Sequence, residues 1–108
     1  MKDKIFNYIN KYQNVTFAEL SKNIEGFKGN LELNAHDNPN IIFWQFLSTE
    51  AFDALQKLMK EKILDLKPAS MLTYFIDGII LKLPIVTKNL NYQTPHWLPV
   101  VLNIKKQK

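Results

Sequence analysis

The stretch STEAFDALQKLMKEKILDLKPASMLTYFIDG, residues 48–78, decides the fold because its hydrophobic period changes partway along it. Up to residue 61 the apolar residues recur every three or four positions, which indicates a helix capped by Ser48 or Thr49. From Leu64 onward they alternate with polar residues, which indicates a strand. The sequence therefore predicts a helix followed directly by β-structure.

The second half of this stretch predicts a two-stranded finger with a third strand beside it. PAS, residues 68–70, is typical of a turn, and MLTYFI, residues 71–76, runs back from it. The Asp-Gly pair at 77–78 is a strong hairpin signal, and IILKLP, residues 79–84, follows it. We therefore expect three short antiparallel strands that follow directly on the end of the preceding helix.

Earlier segments supply two more helices and strand material. A helix over residues 3–12 follows from its apolar spacing. A second helix over 17–25 has Thr16 as its N-cap, with Glu19 completing a capping box. NIIFWQFL, residues 40–47, is apolar, β-branched and aromatic, and it predicts a buried strand.

This order of elements predicts an α+β fold, a winged helix-turn-helix with a three-helix core, an antiparallel β-hairpin wing and a C-terminal tail. Pro84 and Pro95 bound a polar segment that interrupts the apolar pattern. We therefore expect a winged helix-turn-helix domain over residues 1–84 and a C-terminal extension over 85–108, a docking tail.

The positive charge of the chain, +4 in total, is concentrated toward its C-terminal end. Residues 1–60 hold seven lysines and seven acids, whereas residues 78–108 hold five lysines and no acid. Arginine is absent, so the bidentate fork that most often reads guanine is missing. If nucleic acid is the partner, this composition favours phosphate contacts over base reading. The alternative is a lysine-rich surface that only maintains solubility.

Composition also argues against several classes of protein. The chain has no cysteine and only two isolated histidines, so we expect neither a disulfide, a metal site nor a cofactor. No glycine-rich phosphate loop or clustered carboxylates support an enzyme. No apolar run is long enough to span a membrane, and no signal-type segment follows the charged start. A cytoplasmic protein that is not an enzyme is expected.

The wing and the preceding helix carry the candidate nucleic-acid contacts. Lysines and hydroxyls on such elements are suited to bind phosphates, and aromatic rings beside lysines are suited to stack on unpaired bases. The candidates are Lys57, Lys60, Lys62, Lys67, Ser70, Tyr74, Lys82, Phe43 and Trp44.

The start of the third helix is acidic, which argues against ordinary duplex reading. Glu50 and Asp53 would repel phosphate if that end of the helix entered a groove. Aromatic residues nearby favour single strands instead. The alternative for Phe43, Trp44 and Phe46 is burial in the core, although one strand face cannot bury all three.

The C-terminal segment TPHWLPVVLNIKKQK, residues 94–108, is more apolar than a solvated tail should be. It either folds back on its own domain or docks on another protein, with Trp97 and Leu98 as the anchor. In both cases its three lysines could contact phosphates. They are Lys105, Lys106 and Lys108.

The pattern IIFWQFLSTEAFDALQKLM, then ILDLKPASMLTYFIDG and PHWLPV, resembles a known family. It is similar to the winged-helix single-stranded-DNA-binding proteins encoded by staphylococcal cassette chromosome mobile elements, over about residues 1–102. The resemblance implies cooperative single-strand binding without an OB-fold, a hydrophobic pocket, and a mobile tail that binds another protein, such as a replication protein.

Three functions follow as hypotheses. The first is a sequence-tolerant single-stranded-DNA-binding protein that supports replication or transfer of a mobile element. The second is a winged-helix regulator that binds double-stranded DNA. The third is a protein-interaction module that grips its partner with an aromatic pocket and binds no nucleic acid.

Overall fold

The computed structural model describes residues 1–88 and 91–105, which form a mixed α+β fold with two small sheets. The elements in chain order are α1 (Lys2–Tyr12), α2 (Phe17–Asn23), β1 (Lys28–Asn34), β2 (Ile41–Leu47), α3 (Thr49–Lys60), β3 (Leu64–Pro68), α4 (Met71–Asp77), β4 (His96–Trp97) and β5 (Val100–Ile104).

Helices α2 and α3 begin where their capping residues predict, and α1 begins where its apolar spacing does. The Thr16 hydroxyl accepts a hydrogen bond from the Glu19 amide at 3.0 Å, which caps α2. The Ser48 hydroxyl accepts from the Ala51 amide at 3.1 Å, which caps α3. These three helices are confirmed to within two residues at each end, and β2 and β3 lie where the sequence predicts strands.

Both sheets are completed by strands from the C-terminal part of the chain. In the first sheet, β2 pairs antiparallel with β1 and parallel with β4. In the second sheet, β3 pairs antiparallel with β5, from Leu64 opposite Ile104 to Pro68 opposite Val100. On the β5 side of this second sheet, Val15 and Leu102 exchange backbone hydrogen bonds of 3.0 and 2.7 Å.

One apolar core joins the helices and both sheets. The apolar faces of α1 and α3 pack against β5 and β1, because each helix presents its hydrophobic stripe inward. The largest fully buried side chains are Trp44, Trp97, Tyr74, Phe17, Phe27, Ile5, Ile9, Leu20, Leu33, Ile42, Leu47 and Leu55.

The prediction of a strand over residues 71–76 is wrong, because these residues form helix α4. The Ser70 hydroxyl accepts from the Leu72 amide at 3.1 Å and caps the helix, and Gly78 ends it with a left-handed φ of 81°. The Asp-Gly pair is therefore a helix terminus instead of a hairpin turn. The strand predicted over 79–84 is also not formed.

The C-terminal tail expected beyond residue 84 is part of the fold over the described residues 91–105. Strand β5 replaces the predicted hairpin partner of β3, and Trp97, Val100 and Leu102 lie in the core. Tryptophan and branched aliphatic side chains are stabilised by burial, so the apolar segment folds back on its own domain. No helix in the described part of the chain is long and apolar enough to cross a membrane.

Candidate nucleic-acid interface

An open groove of about 1030 Å³ lies between α1 and the β3–β5 sheet; we call it the α1 groove. Its α1 side consists of Phe6 and Asn10, which share a helix face because they are four residues apart, and of Gln13, which follows the helix. Residues of β3, β5 and their ends form the other side. These are Ile63, Asp65, Lys67, Asn103, Ile104 and Lys105.

Strand register sets the positions of the two lysines in the α1 groove. The Lys105 amide donates to the Ile63 carbonyl at 2.8 Å, which places Lys105 beside the start of β3. Lys67 lies four residues after Ile63, and at about 3.3 Å per residue the separation along the strand is about 13 Å. This distance corresponds to about four stacked nucleotides at 3.4 Å each. Asp65 lies between the two lysines along the strand.

Side-chain amides fix the residues at the end of α1 against β5. Asn103 Oδ1 accepts from the Asn14 amide at 2.8 Å, and Asn103 Nδ2 donates to Asn14 Oδ1 at 3.2 Å. Gln13 Oε1 accepts from the Ile104 amide at 3.1 Å. These three bonds bridge residues about ninety positions apart in the chain. The two sides of the groove are therefore preorganised for a ligand.

The lysines predicted at the end of α3 do not line this groove, although Lys62 directly precedes the lining residue Ile63. Lys57 and Lys60 occupy the last turn of α3, and Lys62 follows in a turn with φ of 59°. All three are exposed. Within residues 1–88 and 91–105, ion pairing is confined to Lys2 and Glu61, so these lysines have no carboxylate partner there. Lysines in a last turn also stabilise the helix dipole, which is their alternative role.

Two other predicted phosphate contacts lie outside the α1 groove. The Ser70 hydroxyl is used as the cap of α4. Lys82 is exposed in the segment after α4 and does not line the groove. Lys106 and Lys108, proposed from the tail, lie outside the described residues. The structure thus places Lys67 and Lys105 in the same groove and Lys82 outside it.

Trp44 and Tyr74 are core residues, so their predicted role in stacking on bases is wrong. Both are fully buried, with ring centroids 5.4 Å apart. The Tyr74 hydroxyl donates to the Val100 carbonyl at 2.6 Å and accepts from the Phe17 amide at 3.1 Å. Burial raises the pKa of Tyr74 above its usual value. A base could reach neither ring without unfolding this cluster.

Other aromatic side chains remain accessible. Phe43 is half-buried on β2, and Phe46 is 41% exposed with its edge against the Trp44 ring. Phe6 is half-buried within the α1 groove. Sequence reasoning missed Phe6 as a site residue, although its spacing with Asn10 could have identified this face of α1.

Trp97 and Leu98, predicted to dock on a partner, are held inside the protein. Trp97 is fully buried, with its ring centroid 5.1 Å from that of Tyr74. The Leu98 amide donates to the Ile42 carbonyl at 2.9 Å, and the Leu98 side chain packs against the core. The docking prediction is therefore wrong, because the anchor that it requires is already buried within the chain.

The acidic start of α3 is exposed. Glu50 and Asp53 both face solvent. Carboxylates near a helix N-terminus stabilise the helix through its dipole. They would also repel the phosphates of a duplex presented to that end, so this part of α3 is unsuited to a DNA groove.

No protein-family model, curated protein sequence or solved structure matches this chain. Among residues 1–88 and 91–105, no three histidine, aspartate or glutamate side chains are grouped closely enough to hold a metal ion. Only the geometry and charge of the α1 groove therefore support a nucleic-acid interface.

Proposed function

We propose that the chain is a winged helix with two insertions. Helices α1, α2 and α3 correspond to the three-helix core, and Val15, β5 and β3 to the small sheet that includes the wing. The β1–β2 hairpin is inserted between α2 and α3, and residues 69–99 are inserted between the two wing strands. What supports this assignment is the backbone bridge between Val15 and Leu102 beside the β3–β5 pair.

The proposed function is sequence-tolerant binding of single-stranded DNA along the α1 groove. The observation that carries it is that two exposed lysines, Lys67 and Lys105, lie about 13 Å apart in one groove. The same groove is lined by aromatic and aliphatic side chains. Lysines there neutralise phosphates, and Phe6 presents a ring on which a base can stack. Resemblance to the cassette-chromosome family adds DNA as the nucleic acid, support of a mobile element as the role, and the cytoplasm as the location.

Single strands fit this site better than a duplex. A duplex presents mainly phosphates to the α1 groove, whereas a single strand also presents unpaired base faces to Phe6, Ile63 and Ile104. Exposed Glu50 and Asp53 further disfavour a duplex at the start of α3. Lys57, Lys60 and Lys62 would extend the phosphate path beyond the groove.

Anisotropy titrations with labelled DNA test the proposal. The ligands are a single strand of mixed sequence, a second single strand of unrelated sequence, and the duplex of the first, each at two salt concentrations. We expect similar affinities for the two single strands and weaker binding of the duplex. The two groove lysines alone predict a slope of log K against log salt of about −1.4, and each further contact by Lys57, Lys60 or Lys62 makes it steeper by about 0.7. A preference for the duplex, or no binding of any strand, would contradict the proposal.

A protein-interaction module is the second candidate function, and an exposed apolar face on α4 favours it. The aromatic pocket expected from the sequence does not, because the rings of Trp44, Tyr74 and Trp97 are fully buried. If the titrations show no nucleic-acid binding, interaction through α4 becomes the leading function.

A further inference from the structure

Helix α4 carries a contiguous stripe of apolar side chains that face solvent. Leu72, Phe75 and Ile76 share one side of the helix through their spacing, and they are 66%, 64% and 86% exposed. Met71 directly precedes this stripe and Ile80 lies four residues after Ile76, beyond the end of the helix; each is 39% exposed. We call these five residues the α4 patch. Contiguous apolar surface on a monomer commonly marks an interaction site.

The opposite side of α4 is anchored firmly to the protein. The buried Tyr74 hydroxyl is bonded to Val100 and Phe17, and the Thr16 hydroxyl donates to Asp77 Oδ2 at 2.7 Å. The helix also has a side-chain cap at its start and Gly78 at its end. The α4 patch is therefore a preorganised surface, which lowers the entropic cost of binding a partner.

Charge indicates what can cover the patch. Residues 68–76 contain no side chain that is charged at neutral pH, and the carboxylate of Asp77 is turned inward to Thr16. A phosphate backbone or a charged peptide would find no complementary group on the helix itself. A two-fold contact between copies places each residue opposite its own equivalent or a neighbour, so a charged patch would meet like charge. The uncharged α4 patch avoids that repulsion.

The area of the patch is sufficient for weak self-association. The exposed fractions of its five residues add up to nearly the full surface of three side chains. At about 150 Å² for a large apolar side chain, this amounts to about 450 Å² per copy, or about 900 Å² for two. Specific interfaces of this size lie at the small, weak end of the range.

We propose that the α4 patch binds the same patch on a second copy of this chain, forming a weak two-fold dimer. The dimer forms without nucleic acid, so it is independent of the proposed function. None of Leu72, Phe75 and Ile76 lines the α1 groove, so the two surfaces share no side chain.

Sedimentation velocity of the free protein over about a hundredfold range of concentration tests this proposal. We expect a monomer at the lowest concentration and a dimer at the highest. The substitution Ile76→Lys should weaken dimerisation by about tenfold or more, because each copy gains a charge opposite apolar surface. Leu72→Lys gives the same readout from a second position, and circular dichroism checks that both variants fold.

Tyr12→Lys is the matched control, since Tyr12 is 53% exposed on α1 and the substitution adds the same charge. It should leave the dimer intact. A wild-type chain that stays monomeric throughout would overturn the proposal. Equal dimerisation of wild type, Ile76→Lys and Leu72→Lys would also overturn it, because the contact would then lie elsewhere. Binding of monomers to phosphatidylcholine vesicles that Ile76→Lys abolishes would assign the patch to lipid instead.

Discussion

The α1 groove is lined in part by strand β3 and the α4 patch follows that strand in the chain, but the two surfaces differ in charge, which decides what each can bind. Both contain exposed or half-buried apolar side chains. The groove adds Lys67 and Lys105, whereas the stretch from Pro68 to Ile76 has no charge. Apolar surface beside fixed cations suits a charged polymer with stacking faces, and apolar surface alone suits another protein.

Strand β5 supports both regions. Asn103 and Ile104 accept and donate the bonds that fix α1 beside the groove. The Val100 carbonyl, at the other end of β5, accepts the hydrogen bond of Tyr74 in α4. Both surfaces therefore depend on strand β5, which the sequence analysis assigned to a C-terminal tail.

The largest effect is expected from removing residues 96–108, which deletes β4 and β5. This truncation removes Trp97, Val100 and Leu102 from the core and leaves β3 without its partner. The loss exceeds the roughly 5–15 kcal/mol by which small domains are stable, so we expect no cooperative unfolding transition. Thermal melts followed by circular dichroism measure this. A truncated chain with a wild-type transition would show that β5 supports neither region.

Tyr74→Phe should affect the two regions differently, because it removes contacts that anchor α4 and changes none in the α1 groove. It removes the hydrogen bonds to Val100 and from Phe17, at a cost of about 1–3 kcal/mol in the free energy of unfolding. Urea denaturation measures that cost. Tyr12→Phe removes an exposed tyrosine hydroxyl and should change stability little.

The same pair of variants carries a pH prediction. Burial raises the pKa of Tyr74 in the folded state, so above about pH 10 the unfolded chain loses a proton that the folded chain retains. Stability should therefore fall as pH rises through that range. Tyr74→Phe should show a smaller fall than wild type, whereas Tyr12→Phe should follow wild type. An unchanged alkaline slope in Tyr74→Phe would contradict the buried position of the hydroxyl.

Asp65→Asn should give a smaller effect, confined to the groove. Its carboxylate is the one negative charge among the groove side chains, and removing it should strengthen single-strand binding about threefold. Anisotropy titration measures the change. Asp37→Asn is the control, because Asp37 is exposed in a loop away from the groove and the substitution is chemically identical. Equal gains in both variants would indicate a general charge effect instead of groove binding.

Local signals account for the parts of the fold that the sequence predicted. Helices α1 and α3 have clear apolar spacing, and Thr16 and Ser48 act as caps. Helix α4 was missed because its seven residues are too few to establish a period and, unlike the equally short α2, it has no glutamate three residues after its cap to complete a capping box. Its terminal signals, Ser70 and Gly78, are also turn residues. The pairing of β3 with β5 was not predictable, because about thirty residues separate them and no local pattern specifies a distant partner.

Site residues were predicted unevenly for a similar reason. Lys67 and Lys105 were identified because exposed lysines are recognisable by type alone. The contribution of Phe6 from α1 depends on how that helix lies across the second sheet, which only the tertiary structure determines. Trp44 was misassigned because neighbouring residues of a strand face opposite sides, and the sequence does not specify which side is the core.

The most direct test of groove binding compares two double variants in single-strand titrations across salt concentration. Lys67→Gln with Lys105→Gln removes both groove lysines, whereas Lys4→Gln with Lys11→Gln removes two exposed lysines of α1 outside the groove. The account predicts that the groove variant binds more weakly and that its salt slope is shallower by about 1.4, about 0.7 for each lost contact. The control should keep the wild-type slope. An unchanged slope in the groove variant, or the same loss in both variants, would contradict binding in the α1 groove.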